Sequence, residues 1–139
     1  MQVLRVNYRD TNAPADFTRS IKETGFGILT HHPIPMELVN KVYNEWKLFF
    51  ASTSKFNYQF DPEKQDGYFP FGTENAKGYT AKDLKEFYHI YPWGRFPDEL
   101  SRATMDLYDQ ILGVTSNLLE WIESNSPRHI KAHYRVPLK

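Results

Sequence analysis

The chain reads as an α+β fold in which a small sheet is packed by two long amphipathic helices. Three observations predict it: two stretches with apolar residues at helical spacing, several short runs of strand-forming residues, and an aromatic content of 16%. At 139 residues the chain suits one domain or a large part of one.

The elements follow in order. Val3 to Tyr8 roughly alternates apolar with polar and predicts a short strand. Pro14 offers a preset φ at the start of a helix that carries Phe17 and Ile21 four apart, and Gly25 suits its C-terminal stop. Gly25 to Thr30 is a second, more apolar strand, ended by Pro33 and Pro35, which cannot donate to a ladder. From Met36 to Ala51 a helix is expected. Val39, Val42, Tyr43, Trp46, Phe49 and Phe50 make its apolar stripe, and Glu37, Asn40, Lys41, Asn44, Glu45 and Lys47 its polar face. Residues 52 to 82 have no regular period but are rich in aromatics, so they must pack onto something. Lys85 to Tyr91 is a strand ending at Pro92. Asp98 to about Ser124 is a long helix, with Leu100, Ala103, Leu107, Ile111, Val114, Leu118 and Ile122 stepping by threes and fours. The tail from Pro127 carries Arg128, His129, Lys131, His133 and Arg135 with no capping or turn chemistry. No repeat or linker interrupts this order, which predicts one continuous unit.

Composition narrows the function. Lys and Arg number 17 against 17 Asp and Glu, which excludes a polybasic nucleic-acid arm or an acidic tail. No apolar run approaches the roughly 20 residues that span a bilayer, and the N-terminus lacks the pattern of a signal peptide. The absence of cysteine removes disulfides, zinc–thiolate sites and thiol nucleophiles, and fits a cytoplasmic protein. The aromatics do not sit in a basic field, so neither a nucleic acid nor a membrane is an expected partner.

The five histidines are the natural place to look for a metal. His129 and His133 lie four apart, yet Ile130 and Lys131 follow where a metalloprotease helix needs Glu. His31 and His32 are adjacent at a strand end, where neighbouring side chains point to opposite faces. His89 reads as a half-buried histidine of the aromatic strand. Gly-x-Ser-x-Gly is absent, and the glycines at 67, 72 and 78 lack the Lys-Ser/Thr ending of a phosphate loop. From the residues alone no catalytic site and no metal site is assembled.

At Gly25-Phe-Gly-Ile-Leu-Thr-His-His-Pro-Ile-Pro35 the sequence resembles the N-terminal region of the isopenicillin N synthase-like, iron(II)/2-oxoglutarate-dependent oxygenases. That family carries a glycine-aromatic strand running into Asn-His-Gly-Ile/Val-Pro and an amphipathic helix closed by Phe-Phe. His31 takes the Asn place, His32 the His place, and Phe49-Phe50 close the helix; Pro33 stands at the glycine place, which must change the turn. Gly67-Tyr68 with Gly72 and Glu74, then Asp83-Leu-Lys-Glu-Phe87, then Pro97 to Leu100 match further stretches in the family's order.

The resemblance covers about residues 1–125 and implies an oxygenase-type N-terminal domain there, with 126–139 a basic tail leading toward a jelly-roll (double-stranded β-helix) core outside this chain. It implies Fe(II) and 2-oxoglutarate for a complete member. In the family, iron is held by His-x-Asp and a distal His, and the oxo acid by Arg-x-Ser; neither pair occurs in this sequence. The expected role is therefore the non-catalytic N-terminal part of an oxygenase that acts on a small molecule. The alternative is an interaction module derived from that family, self-associating through exposed aromatic surface. Three residues occupy places that face substrate in some members: Gln65, where an arginine can bind a carboxylate, Phe69 and Tyr88.

Overall fold

The computed structural model describes residues 2–73, 80 and 82–127. His129, His133 and the rest of the basic tail lie outside the described residues, as does Glu74. Residues up to Met36 together with those from Met105 onward form one unit, and Glu37–Thr104 form another.

In the first unit β1 (Arg5–Asn7) runs parallel to β2 (Ile28–Thr30), with Val6 opposite Leu29, and α1 (Ala13–Thr24) connects them. A parallel pair requires such a crossover, because a tight turn can return the chain only antiparallel. α1 has proline in its first turn and ends at Gly25, whose φ of 78° is left-handed and whose N–H reaches the Ile21 carbonyl at 2.9 Å. Val6, Ala13 and Phe17 form the buried centre, and Leu4, Ile21, Leu29, Leu118, Trp121 and Ile122 pack around it. Ser20 is fully buried among them. It accepts from the Leu4 N–H at 3.0 Å and donates to the Phe26 carbonyl at 2.7 Å, so no polar atom of its hydroxyl is wasted. Gly27 lies against the Phe17 ring, where a Cβ would come within 2.6 Å. The two glycines of the Gly-Phe-Gly run thus do different things: one turns the chain, the other admits a ring.

The second unit is built on α2 (Met36–Ala51), whose bounds are those its periodicity predicts. Val42 and Phe49 are buried, but Tyr43 is 73% exposed. It lies about 100° around the helix from Val42, at the margin of the stripe, and the expectation that it is a core residue is corrected. A 3-10 turn, Ser54–Tyr58, follows. β3 (Gly67–Phe69) and β4 (Phe87–His89) then pair antiparallel, with Tyr68 opposite Tyr88 and Phe69 opposite Phe87. The four strands therefore make two separate two-stranded sheets, each three residues deep, where one small sheet is expected.

α3 (Ala103–Asn125) gives Ala103 and Thr104 to this unit and the remainder to the first. It starts five residues later than the apolar period suggests. Ser101 precedes this start: its hydroxyl accepts from the Ala103 N–H at 3.2 Å, satisfying a first-turn donor, while donating to Glu45 at 2.7 Å. Residues 97–100 form a turn in which the Leu100 N–H meets the Pro97 carbonyl at 3.1 Å. Along α3, Val114 is buried and Leu118 and Ile122 join the first core. Ile111, expected on the same stripe, is instead 46% exposed beside Tyr108, Leu112 and Leu119. α3 thus carries a second apolar face that nothing covers among the described residues.

Candidate functional site

The site develops around β3–β4, because side chains alternate along a strand and cross-strand partners share a face. Tyr68 and Tyr88 point one way, into an aromatic core. Trp46 stands 5.3 Å from both Phe49 and Tyr88, and Phe49 lies 5.7 Å from Tyr88. The Trp46 Nε1–H donates to Thr104 Oγ1 at 2.9 Å. Tyr88 donates its hydroxyl hydrogen to the Arg95 carbonyl at 2.9 Å, and burial pushes its phenol up to about 12.

Phe69, Phe87 and His89 point the other way. Phe69 lies 4.3 Å from Phe60 and stacks on Phe87 at 4.4 Å with an interplanar angle of 11°. His89 lies 4.7 Å from Phe69 and 6.2 Å from Tyr91, and Tyr91 stacks on Trp93 at 4.9 Å and 13°. The outer face is a continuous row of rings.

Two polar networks hold the hairpin in place. Asp66, with no exposed surface, accepts from Arg95 Nη2 at 2.8 Å, from Arg95 Nε at 3.1 Å and from the Arg95 backbone N–H. The Arg95 guanidinium holds the Asp66 carboxyl below the usual range, against the opposing effect of burial. Glu86 accepts from Lys55 Nζ at 2.8 Å and from the Tyr68 hydroxyl at 2.6 Å. Burial raises the Glu86 carboxyl, and these two donors outweigh it, leaving the group lowered. Lys55 also donates to the Phe50 carbonyl at 2.6 Å, so one ammonium ties α2 to the hairpin.

The three expected substrate residues do not converge. Gln65 sits in the exposed turn before β3 with φ of 61°, its Nε2 donating to the Pro62 carbonyl at 2.5 Å. Phe69 is on the outer face and Tyr88 on the inner one. Phe60, Phe87, Tyr91 and Trp93 complete the outer row, and the period-two spacing of Phe87, His89 and Tyr91 was the signal for it. The Asp66–Arg95 pair had no such signal, being 29 residues apart.

An open cleft of about 510 Å³ lies between the end of α2 and the turn before α3, lined by Glu45, Leu48, Phe49, Ser52, Ser54, Glu99 and Leu100. The Ser52 and Ser54 hydroxyls are 2.6 Å apart, and Ser54 donates to Glu99. None of the expected residues lines it.

His31 occupies the left-handed region with φ of 54°, two residues before Pro33. His32 Nδ1 is buried without a hydrogen-bond partner among the described residues. Among those residues no three His, Asp or Glu side chains converge on one point. The donor set of an iron facial triad does not fit any position that the described residues offer. No described helix is long and apolar enough to cross a membrane.

Residues 8–110 match the family described as non-haem dioxygenase in morphine synthesis, N-terminal. Among solved structures, the chain is similar to a candidate oxygenase from Shewanella oneidensis, at 43% identity and a TM-score of 0.87 over 99% of this chain and 48% of the other. It is also similar to a candidate 2OG-Fe(II) oxygenase family protein from Caulobacter crescentus, at 25% identity and a TM-score of 0.71 over 88% of this chain and 48% of the other. The chain therefore spans about half the length of the structures it matches. No curated protein matches it.

Proposed function

The chain belongs to the N-terminal family of the non-haem dioxygenases, and from that premise we propose that it is the supporting, non-catalytic half of an Fe(II)/2-oxoglutarate oxygenase acting on a small molecule in the cytoplasm. The observation that carries the reading is the match over residues 8–110 to the family described as the N-terminal part of non-haem dioxygenases. The spans of the two solved structures agree with it, since each is about twice the length covered here. In this reading the iron ligands and the oxo-acid anchor belong to a jelly-roll core, whose bound iron and 2-oxoglutarate would supply the oxidising chemistry. This chain's own residues brace that core and form one wall of the substrate pocket.

Two surfaces support the assignment. The second apolar face of α3 (Tyr108, Ile111, Leu112 and Leu119) is suited to lie against another layer. The outer face of β3–β4 presents Phe69 toward a substrate, with Gln65 at the neighbouring turn. Tyr88, on the inner face, would act on that wall by fixing β4 from behind. A neutral Gln65 favours substrates that are not anchored there by charge.

The test is a joined protein in which this chain replaces the N-terminal half of the Shewanella oneidensis relative. The expected result is one cooperative melting transition and iron-dependent conversion of 2-oxoglutarate to succinate. A joined protein that melts in two independent steps, or that binds iron and turns over equally well with this half deleted, would contradict the assignment. The alternative, a self-associating interaction module, predicts a concentration-dependent dimer of the chain alone.

A further inference from the structure

We propose that the outer face of β3–β4 is a binding surface for an uncharged, planar aromatic molecule bearing a hydroxyl or carbonyl. The proposal deepens the function given above by naming the substrate class, and its place beside the reacting centre rests on that reading. The binding itself rests on the geometry of this face.

The hairpin divides its aromatic residues by side. Tyr68 and Tyr88 face inward, and Tyr68 is 1% exposed. Phe60, Phe69, Phe87, His89 and Tyr91 face outward and keep part of their surface in solvent. A hairpin that needed only a core would place polar residues there, because one face of an antiparallel pair is commonly solvated. The outer rings instead continue one another, from Phe60 on Phe69 at 4.3 Å through to Tyr91 on Trp93 at 4.9 Å.

The row ends on a ring that is still open. One side of Trp93 lies against Tyr91, its Nε1–H donates to the Lys64 carbonyl at 3.3 Å, and the residue is 69% exposed. The indole is therefore oriented by two partners and still presents most of its surface. A planar ligand stacking on it extends the row with offset geometry already set, which limits the ordering cost of binding.

Charge narrows the ligand. Lys85 Nζ lies 5.1 Å over the Phe87 ring, with Asp83 3.5 Å away to balance it. Arg95 is committed to Asp66. The turn leading into the hairpin offers the neutral Gln65. An anion on this face would thus meet charges already matched, whereas a neutral ring loses little on leaving water. His89, between Phe69 and Tyr91, is the polar group of the row and can donate to or accept from a ligand oxygen.

The experiment titrates the 139-residue chain with 2-naphthol and, separately, with 2-naphthoate, which shares the ring system but carries a charge. Binding is followed by amide and indole N–H shifts. The expected result is saturable binding of 2-naphthol with shifts at Trp93, Tyr91 and His89, at least tenfold weaker binding of 2-naphthoate, and at least fivefold weaker 2-naphthol binding in Trp93→Ala with an unchanged circular dichroism spectrum. Equal binding of the two probes, shifts centred on Tyr108, Leu112 and Leu119, or an unaffected Trp93→Ala variant would each overturn the proposal. Saturable naphthol binding at Trp93 together with an inactive joined protein would leave this surface standing and refute the oxygenase assignment instead.

Discussion

Gly67 shows how one residue decides a local structure. Its φ is 111°, and a Cβ there would fall 2.6 Å from the Tyr58 carbonyl oxygen and 2.9 Å from that of Gln59. Both obstacles are backbone, so the neighbours cannot yield as a flexible side chain would. Gly67→Ala should cost about 2–3 kcal/mol, the sum of a disfavoured φ and overpacking, and this is readable as a lower urea midpoint. Asp66 beside it is the other decisive residue. Its carboxyl, like that of Glu86, is lowered in the folded chain, so at acid pH the unfolded chain binds more protons. The stability these groups contribute is present above the unfolded carboxylate range, about pH 4, and is lost as pH falls from there through their folded values. Thermal melts between pH 7 and 3 should show that fall. Asp66→Asn should flatten it while costing about 2 kcal/mol at neutral pH, a cost moderated because the Arg95 side chain is 32% exposed. The Gly-Tyr pair was visible in the sequence; the reason for its glycine was not, because the carbonyls that forbid a side chain belong to Tyr58 and Gln59, nine and eight residues earlier.

Among elements, α2 was the most legible, because sixteen residues of one period leave little freedom of assignment. Trp46→Ala removes a ring packed on Phe49, Phe50 and Tyr88 and a hydrogen bond to Thr104, and should cost about 3–4 kcal/mol. A melting point within a degree or two of the parent would show that the helix is not docked on this ring. Three of the four strands are legible but shorter than their apolar runs, and β3 (Gly67–Phe69) lies in the stretch without a regular period, since pairing depends on where a partner lies, and propensity does not report that. α3 departs from its expected stripe for a related reason. Its apolar residues fall on two faces, and the period alone cannot say which face finds a partner in the same chain. Leu118→Ala, in the first core, should cost about 2–3 kcal/mol, whereas Leu112→Lys on the uncovered face should change stability by under about 0.5 kcal/mol. Chemical denaturation of the two variants side by side checks both values.

At the scale of the whole molecule, family membership was legible from several weak motifs in one order, each of which has a local physical use. Gly25 caps α1, Gly27 admits Phe17, and Gly67 lets β3 pass under the Tyr58 carbonyl. The outer aromatic face of β3–β4 was only partly legible. Phe69 was singled out, but the row from Phe60 to Trp93 depends on a turn and a strand pairing that bring distant rings together. In the proposed division of labour this chain supplies a scaffold and a pocket wall, and the iron chemistry belongs to a partner half. The most direct measurement is oxygen uptake by the purified 139-residue chain with ferrous salt and 2-oxoglutarate. Uptake no greater than that of the ferrous salt and 2-oxoglutarate alone is expected. Sustained uptake coupled to succinate formation by this chain alone would contradict it.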